Sequence, residues 1–368
     1  MLRGGAYILI LCAVGLALLA GSIGGAWERF PTSAYEAALE PARPGQENSI
    51  KRAVFAADNL WLLSDSGELW TVGEFTRDAQ RQKLQEPASD ICVQNGAPVI
   101  VTAPRAGASV WTLRRRVGAQ WTTVGTTAIR QEGLVGLFCA ADSLLVLTSQ
   151  RLIEVRGAHQ SALNLSNRVP SRPISVSLAT PTQLFVGQNA GEWGGGLQSI
   201  DRRTGQVRAI EGNVSGELCG GPLNADCDPV NGLAPVPWKP GCVVAAVGLI
   251  HMSSHGRLVE VCNDLPKRLH YEPCPSRAPE PKTQSKSDEP FCTEAFFGVV
   301  AKRDALMALR TAGITTLDRE GNAARTSLPA FKPHGPFEVS FTPDAVFVRS
   351  SANERQSLSG PTPLMVSR

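Results

Sequence analysis

At 368 residues with 43% hydrophobic side chains, the chain can bury one large core or two smaller ones. Its 35 glycines and 26 prolines, against 19% charged residues, point to many short strands joined by turns and exclude a purely helical protein. The formal charge of +3, with no Lys/Arg stripe carrying interleaved aromatics, excludes nucleic acid as a partner.

The first element is hydrophobic. Arg3 precedes an apolar run from Ala6 to Ala20, and no further charge appears until Glu28. One basic residue before such a run reads as a secretory signal over residues 1–26, with small residues, Gly24 and Ala26, placed for a cut before Trp27. The competing reading is a retained anchor, because residues 6–26 are just long enough to span a bilayer and attach the chain to a membrane. Both readings put the remainder outside the cytoplasm, periplasmic or secreted, with residues 27–45 as a linker. Cysteine usage agrees. Without Cys12 an even set remains, and an oxidising compartment would let it form disulfides. Cys274 with Cys292 would staple the base of a polar loop, and Cys219 with Cys227 is the next expected pair. Cys92, Cys139, Cys242 and Cys262 are further candidates whose pairing spacing cannot choose.

From about residue 46 onward a short strand pattern recurs. Phe55-Ala56-Ala57-Asp58-Asn59-Leu60-Trp61-Leu62-Leu63-Ser64 is echoed by Phe138-Cys139-Ala140-Ala141-Asp142-Ser143-Leu144-Leu145-Val146-Leu147-Thr148. Further copies centre on Val99, Leu184, Val243, Leu306 and Val346, at intervals of about 40 residues with two stretched to roughly 60. Each apolar run reads as a strand buried on both faces. The Asx residue just before it is turn chemistry, because such side chains bond their own backbone. A second strand follows in six copies, for example Gly67–Val72, Arg151–Val155 and Gly313–Leu317, whereas the seventh has no counterpart after Ser350. Tight hairpin signals, Asp201–Gly205 and Asp318–Asn322, then open an edge strand.

Four antiparallel strands per unit and seven units specify an all-β protein, a β-propeller over residues 46–368. Six or eight blades remain open, because the long intervals could conceal or mimic a unit. Gly196-Leu197-Gln198-Ser199-Ile200-Asp201-Arg202-Arg203-Thr204-Gly205 resembles the inner hairpin of bacterial extracytoplasmic β-propeller repeat proteins. The resemblance covers the chain from roughly residue 45 to its end and implies a fold, not an activity.

The stretched intervals read as insertions at about 211–241 and 265–292. In the first, Asn224, Asp226, Asp228 and Asn231 superficially resemble an oxygen-ligand loop for Ca2+ or another divalent metal, with Asp226 and Asp228 as ligands. Pro229 stands where an EF-hand needs glycine and no glutamate closes the loop, so turn-forming Asx residues are the preferred reading. His251 and His255 have zinc-like spacing, but their flanks are strands and Ser253-Ser254-His255-Gly256 reads as a turn. Glu192-Trp193-Gly194-Gly195-Gly196 opens a hairpin whose exposed end is where propellers bind ligands, although the preferred reading is that the glycines relieve crowding and Trp193 packs between blades. Trp238, between Pro237 and Lys239, is a similar case. Glu192, Trp193, Trp238, His251 and His255 are therefore the candidate ligand-binding residues.

No nucleophile elbow or phosphate loop is present. The preferred reading is a non-enzymatic, cofactor-free module that binds a protein, peptide or glycan through its loop-bearing face. The alternative is a metal-dependent hydrolase or lyase with its site in the central channel. Asp58, Asp142, Asp304 and Asp344 occupy equivalent positions, but a shared turn explains that repetition better than a ligand set.

Overall fold

The computed structural model describes residues 49–76, 78–102, 110–130, 132–169, 174–213, 221–251, 253–274, 292–350 and 362–368. The expected signal, anchor and linker fall outside these. Among the described residues no helix is long and apolar enough to cross a membrane.

The described strands form seven antiparallel sheets of four, over residues 50–81, 88–128, 134–164, 174–210, 230–270, 296–326 and 332–367. Each sheet is one blade of a seven-bladed β-propeller. The recurring apolar segments explain why the blades stack. Leu60, Val99, Leu144, Leu184, Val243, Leu306 and Val346 all lie in the second strand counted outward from the axis, and each is at most 3% exposed. A strand covered on both faces by neighbouring blades has no wet side, so its sequence runs apolar without alternation. Each such Val or Leu contributes roughly 1.5–3 kcal/mol by burial. The outermost strands are the opposite case: His159–Asn164 and Ala323–Thr326 lie at the rim and are almost wholly exposed.

Hairpin chemistry sets the register. Ala57 and Asp58 both take positive φ, 50° and 57°, and Asn95 and Gly96 repeat the conformation at 52° and 75°. Two residues of positive φ make the hairpin turn whose twist matches that of the flanking strands. Asp142, Asp304 and Asp344 likewise lie between paired strands.

The long intervals are only partly connection. Residues 230–235 form the innermost strand of blade five inside the first interval, and Leu265–His270 forms its outermost strand inside the second. Three disulfides stand among the described residues. Cys92–Cys139 ties the innermost strands of blades two and three, Cys242–Cys262 closes two strands of blade five, and Cys274–Cys292 joins the ends of segment 275–291. Cys227 is also disulfide-bonded, and its expected partner Cys219 lies outside the described residues.

Blade seven departs from the expected order. The other blades run outward from the axis, but this one runs inward through Lys332–His334, Phe337–Phe341, Ala345–Arg349 and Leu364–Ser367. Among the described residues no strand corresponding to the other copies follows Ser350, because its place is already filled by Phe337–Phe341, which precedes the apolar segment. The C-terminal strand supplies the innermost position instead. Val346, Val348 and Val366 pack with Leu60, Leu62 and Val72 of blade one, so the ring closes on apolar packing between its last and first blades.

The seven innermost strands surround a channel of about 550 Å³. Its lining carries two charged residues, Arg52 and Arg368: Arg52 Nε lies 2.6 Å from Oδ1 of Asp90, which is buried behind the wall, and the guanidinium donates across to Ser177 at 3.2 Å. Asp90 Oδ2 accepts the Leu137 N–H at 2.7 Å. Gly136 makes room for it, since a Cβ there would stand 3.3 Å from that oxygen.

Candidate functional site: the rim of blades four and five

In blade four the turn between Gln183–Asn189 and Gly195–Asp201 is a short 3-10 segment, Gly191–Trp193. Asn189 starts it by accepting the Gly191 N–H through its side-chain oxygen at 2.8 Å, while its amide donates to Asn231 Oδ1 at 2.6 Å. The glycines after it permit close approach rather than ligand contact. Gly194 and Gly196 have φ of 102° and 95°, and a Cβ on Gly195 would lie 2.6 Å from Asp228 O. Gly195 and Gly196 instead donate N–H groups to Ala225 O and Asp228 O, docking the hairpin on the connection into blade five. With its backbone held there, Trp193 projects from the turn and is 78% exposed.

The equivalent turn of blade five carries His251. Its Nδ1 lies 2.6 Å from Glu192 Oε2, and both side chains are substantially exposed. Two candidates sixty residues apart therefore meet because adjacent blades present equivalent turns on one face. His255 stands at the start of the next strand, its Nε2 3.8 Å from Asp228 Oδ1. Glu192, Trp193, His251 and His255 thus share the rim of blades four and five. Trp238 does not join them. It lies in the turn between Val230–Pro235 and Val243–Ile250, at the opposite end of those strands, and packs half-buried against the cluster containing Val236, Cys242 and Val244.

The connection bearing Asp226 and Asp228 is a scaffold. Asp228 is 1% exposed, accepts the Asn224 N–H at 2.7 Å and pairs with Arg257 at 2.5 Å. The Asn224 side chain accepts the Asp226 N–H at 2.9 Å, leaving Asp226 itself exposed. Asp228 is thus turned to a guanidinium, and among the described residues no three His, Cys, Asp or Glu gather together.

A recurring acid escaped the sequence reading. Glu86, Glu132, Asp228 and Glu294 each stand two residues before an innermost strand, and each pairs with an arginine of the same blade: Arg114, Arg151, Arg257 and Arg310. Glu132 also accepts from Thr148, and Arg310 also donates to Thr315. Repetition in four blades marks these pairs as staples of the blade entry. The findable signal was an acid two residues before four of the seven innermost strands. Glu272 is a separate buried acid between blades five and six, bonded to Arg325 and His270. Its burial alone would raise the carboxyl pKa, but bonds from Arg325 and His270 outweigh that and hold it below the ordinary glutamate value.

A seven-bladed β-propeller with an exposed aromatic and a histidine–glutamate contact on one rim is the class of protein that fold and surface define. No family model and no curated protein matches the chain. Among solved structures it is similar to YCF48 bound to D1 peptide, at 10% identity and a TM-score of 0.51, covering 83% of this chain and 89% of that one. It is also similar to the computationally designed Ika8 protein, at 10% identity and TM-score 0.46, over 83% of this chain and 85% of that one. A third similarity is to the extracellular domain of the putative one-component system BT4673 from B. thetaiotaomicron, at 11% identity and TM-score 0.45. That match covers 87% of this chain but 38% of the other. At such identities the likeness is one of fold.

Proposed function

We propose that the chain is an exported, non-enzymatic propeller that captures a peptide or protein segment on the rim of blades four and five. The observation that carries the reading is Trp193, 78% exposed on a turn fixed by its neighbours' backbone bonds. A bare indole on a rigid turn offers a large contact area with little ordering entropy left to lose, and tryptophan is enriched among residues that dominate binding energy. The adjacent Glu192–His251 pair supplies polar groups for orientation. Disulfides persist in oxidising compartments, which supports export. Fold alone supplies no ligand, although YCF48 is a structural neighbour bound to a peptide. The metal-dependent hydrolase or lyase alternative has no donor set among the described residues to carry it.

Peptide and glycan arrays probed with the purified chain and with Trp193→Ala test this. A peptide signal that falls at least tenfold in the variant, with an unchanged thermal midpoint, is expected. A glycan signal lost in the same way would keep the surface and replace the ligand class. Equal signals from both proteins would sink the assignment of Trp193.

A further inference from the structure

A second surface lies far along the ring, between blades one and two. The third strand of blade two, Val110–Val117, contains Arg114, Arg115 and Arg116 in succession. Alternation along a strand sends the outer two to one side of the sheet and the middle one to the other. Arg115 donates to Gln94, near blade three. Arg114 and Arg116 turn toward blade one, where with Lys83, Gln120 and Trp121 they line a pocket of about 290 Å³.

The charge in this pocket is unbalanced. Its lining contains no carboxylate. Glu86, behind it, lies 3.6 Å from Arg114 and also accepts from Thr102 at 2.9 Å. Arg116 forms no ion pair among the described residues. Its guanidinium rests instead near two indoles, 5.5 Å from the Trp121 ring and 6.0 Å from that of Trp61. Those rings meet edge to face at 5.8 Å. Burial without a counter-charge lowers the Arg116 pKa. Two further donors, Arg114 Nε and Trp121 Nε1, are buried and have no acceptor. Arg114 is partly satisfied, since its Nη1 donates to Gln85 Oε1 at 3.4 Å, but buried donors left unpaired are costly, and the two that remain beside Arg116 and Lys83 would gain from an outside acceptor.

We infer that the pocket between blades one and two binds an oxyanion, a carboxylate, sulfate or phosphate group carried on a small ring or side chain. The guanidinium forks suit the paired oxygens of such a group, and Lys83 adds a point charge at the mouth. Trp121 offers the carrier a stacking edge. The volume, equal to about ten waters, accommodates the anionic group and a single ring. The inference is independent of the Trp193 rim, since the two surfaces share no residue.

Titration of the purified chain with inorganic sulfate, inorganic phosphate and glucuronate, at constant ionic strength set by chloride, tests it. Calorimetry and tryptophan fluorescence are the readouts, because Arg116 stands against two indoles. Saturable binding of at least one oxyanion is expected, and Arg116→Gln should weaken it on the order of tenfold or more. Without anion, Arg116→Gln should melt no lower than the parent, because it removes a desolvated cation. The preferred anion raises the parent's thermal midpoint but not the variant's. The exposed Lys83→Ala, whose folding is not at stake, should weaken binding severalfold. A preference for glucuronate identifies a carboxylate ligand, and a preference for sulfate or phosphate identifies an esterified one. No oxyanion binding above chloride, or parental affinity in both variants, overturns the inference.

Discussion

Glu132→Ala probes whether the recurring acids are staples or functional carboxylates. Glu132 and Arg151 are both buried, and Arg151 Nε donates to Glu132 while its Nη2 reaches Ala128 O at 3.2 Å. Removing the carboxylate leaves a desolvated guanidinium and takes one partner from the Thr148 hydroxyl. Breaking a buried pair from one side costs about 3–5 kcal/mol, because the remaining charge is uncompensated. The ring spans about 320 residues, and an unfolding entropy of roughly 2 cal/mol/K per residue converts 4 kcal/mol into a drop of about 6 °C. Replacing both partners, Glu132→Leu with Arg151→Met, should recover most of that loss, since an apolar pair of similar volume needs no counter-charge. Urea denaturation followed by tryptophan fluorescence measures all three proteins. A single variant within about 1 kcal/mol of the parent, or a double variant as unstable as the single, would refute the staple.

Gly195→Ala should destabilise by about 1–3 kcal/mol and loosen the Trp193 turn, because the new methyl meets Asp228 O at 2.6 Å. Increased quenching of Trp193 fluorescence by iodide would register the loosening. Cys92→Ser with Cys139→Ser should cost about 4 kcal/mol, the chain entropy of a cross-link with a sequence separation of 47, and thermal melts with and without reductant check it. Glu272 has a folded pKa below its ordinary 4.5, so its contribution is full above that value and fades as pH falls through the folded pKa. Glu272→Gln should therefore be less stable than the parent near neutrality and show a shallower loss in acid. A chemical denaturation series across that range measures both slopes.

The parts of the fold legible in sequence were those buried on both faces. Leu144 to Leu147 forms an unbroken apolar run because blades cover it from both sides, and the Asx turn before it repeats with it. Innermost strands were harder to read. Val230–Pro235 contains Asn231, Gly232 and Pro235, since one side of it faces the channel and Gly232 lies against Gly298 and Val299 of blade six. The reversed order of blade seven left one trace in the sequence, the missing counterpart after Ser350, but that absence does not say which strand takes the innermost place. Glu192 and His251 were each legible, and their pairing needed only the recognition that both occupy the same turn of successive blades. That Trp238 lies on the opposite face was not legible, because a Pro-flanked tryptophan reads alike on either face.

The account's central claim is that ligand contact occurs at the rim of blades four and five. Hydrogen exchange of the purified chain, with and without the peptide recovered from the array, tests it most directly. Slowed exchange confined to residues 189–196 and 249–256 is the predicted result. Protection of the channel strands, or of the opposite-face turns at 57–58 and 303–304, with the rim unchanged, would contradict it.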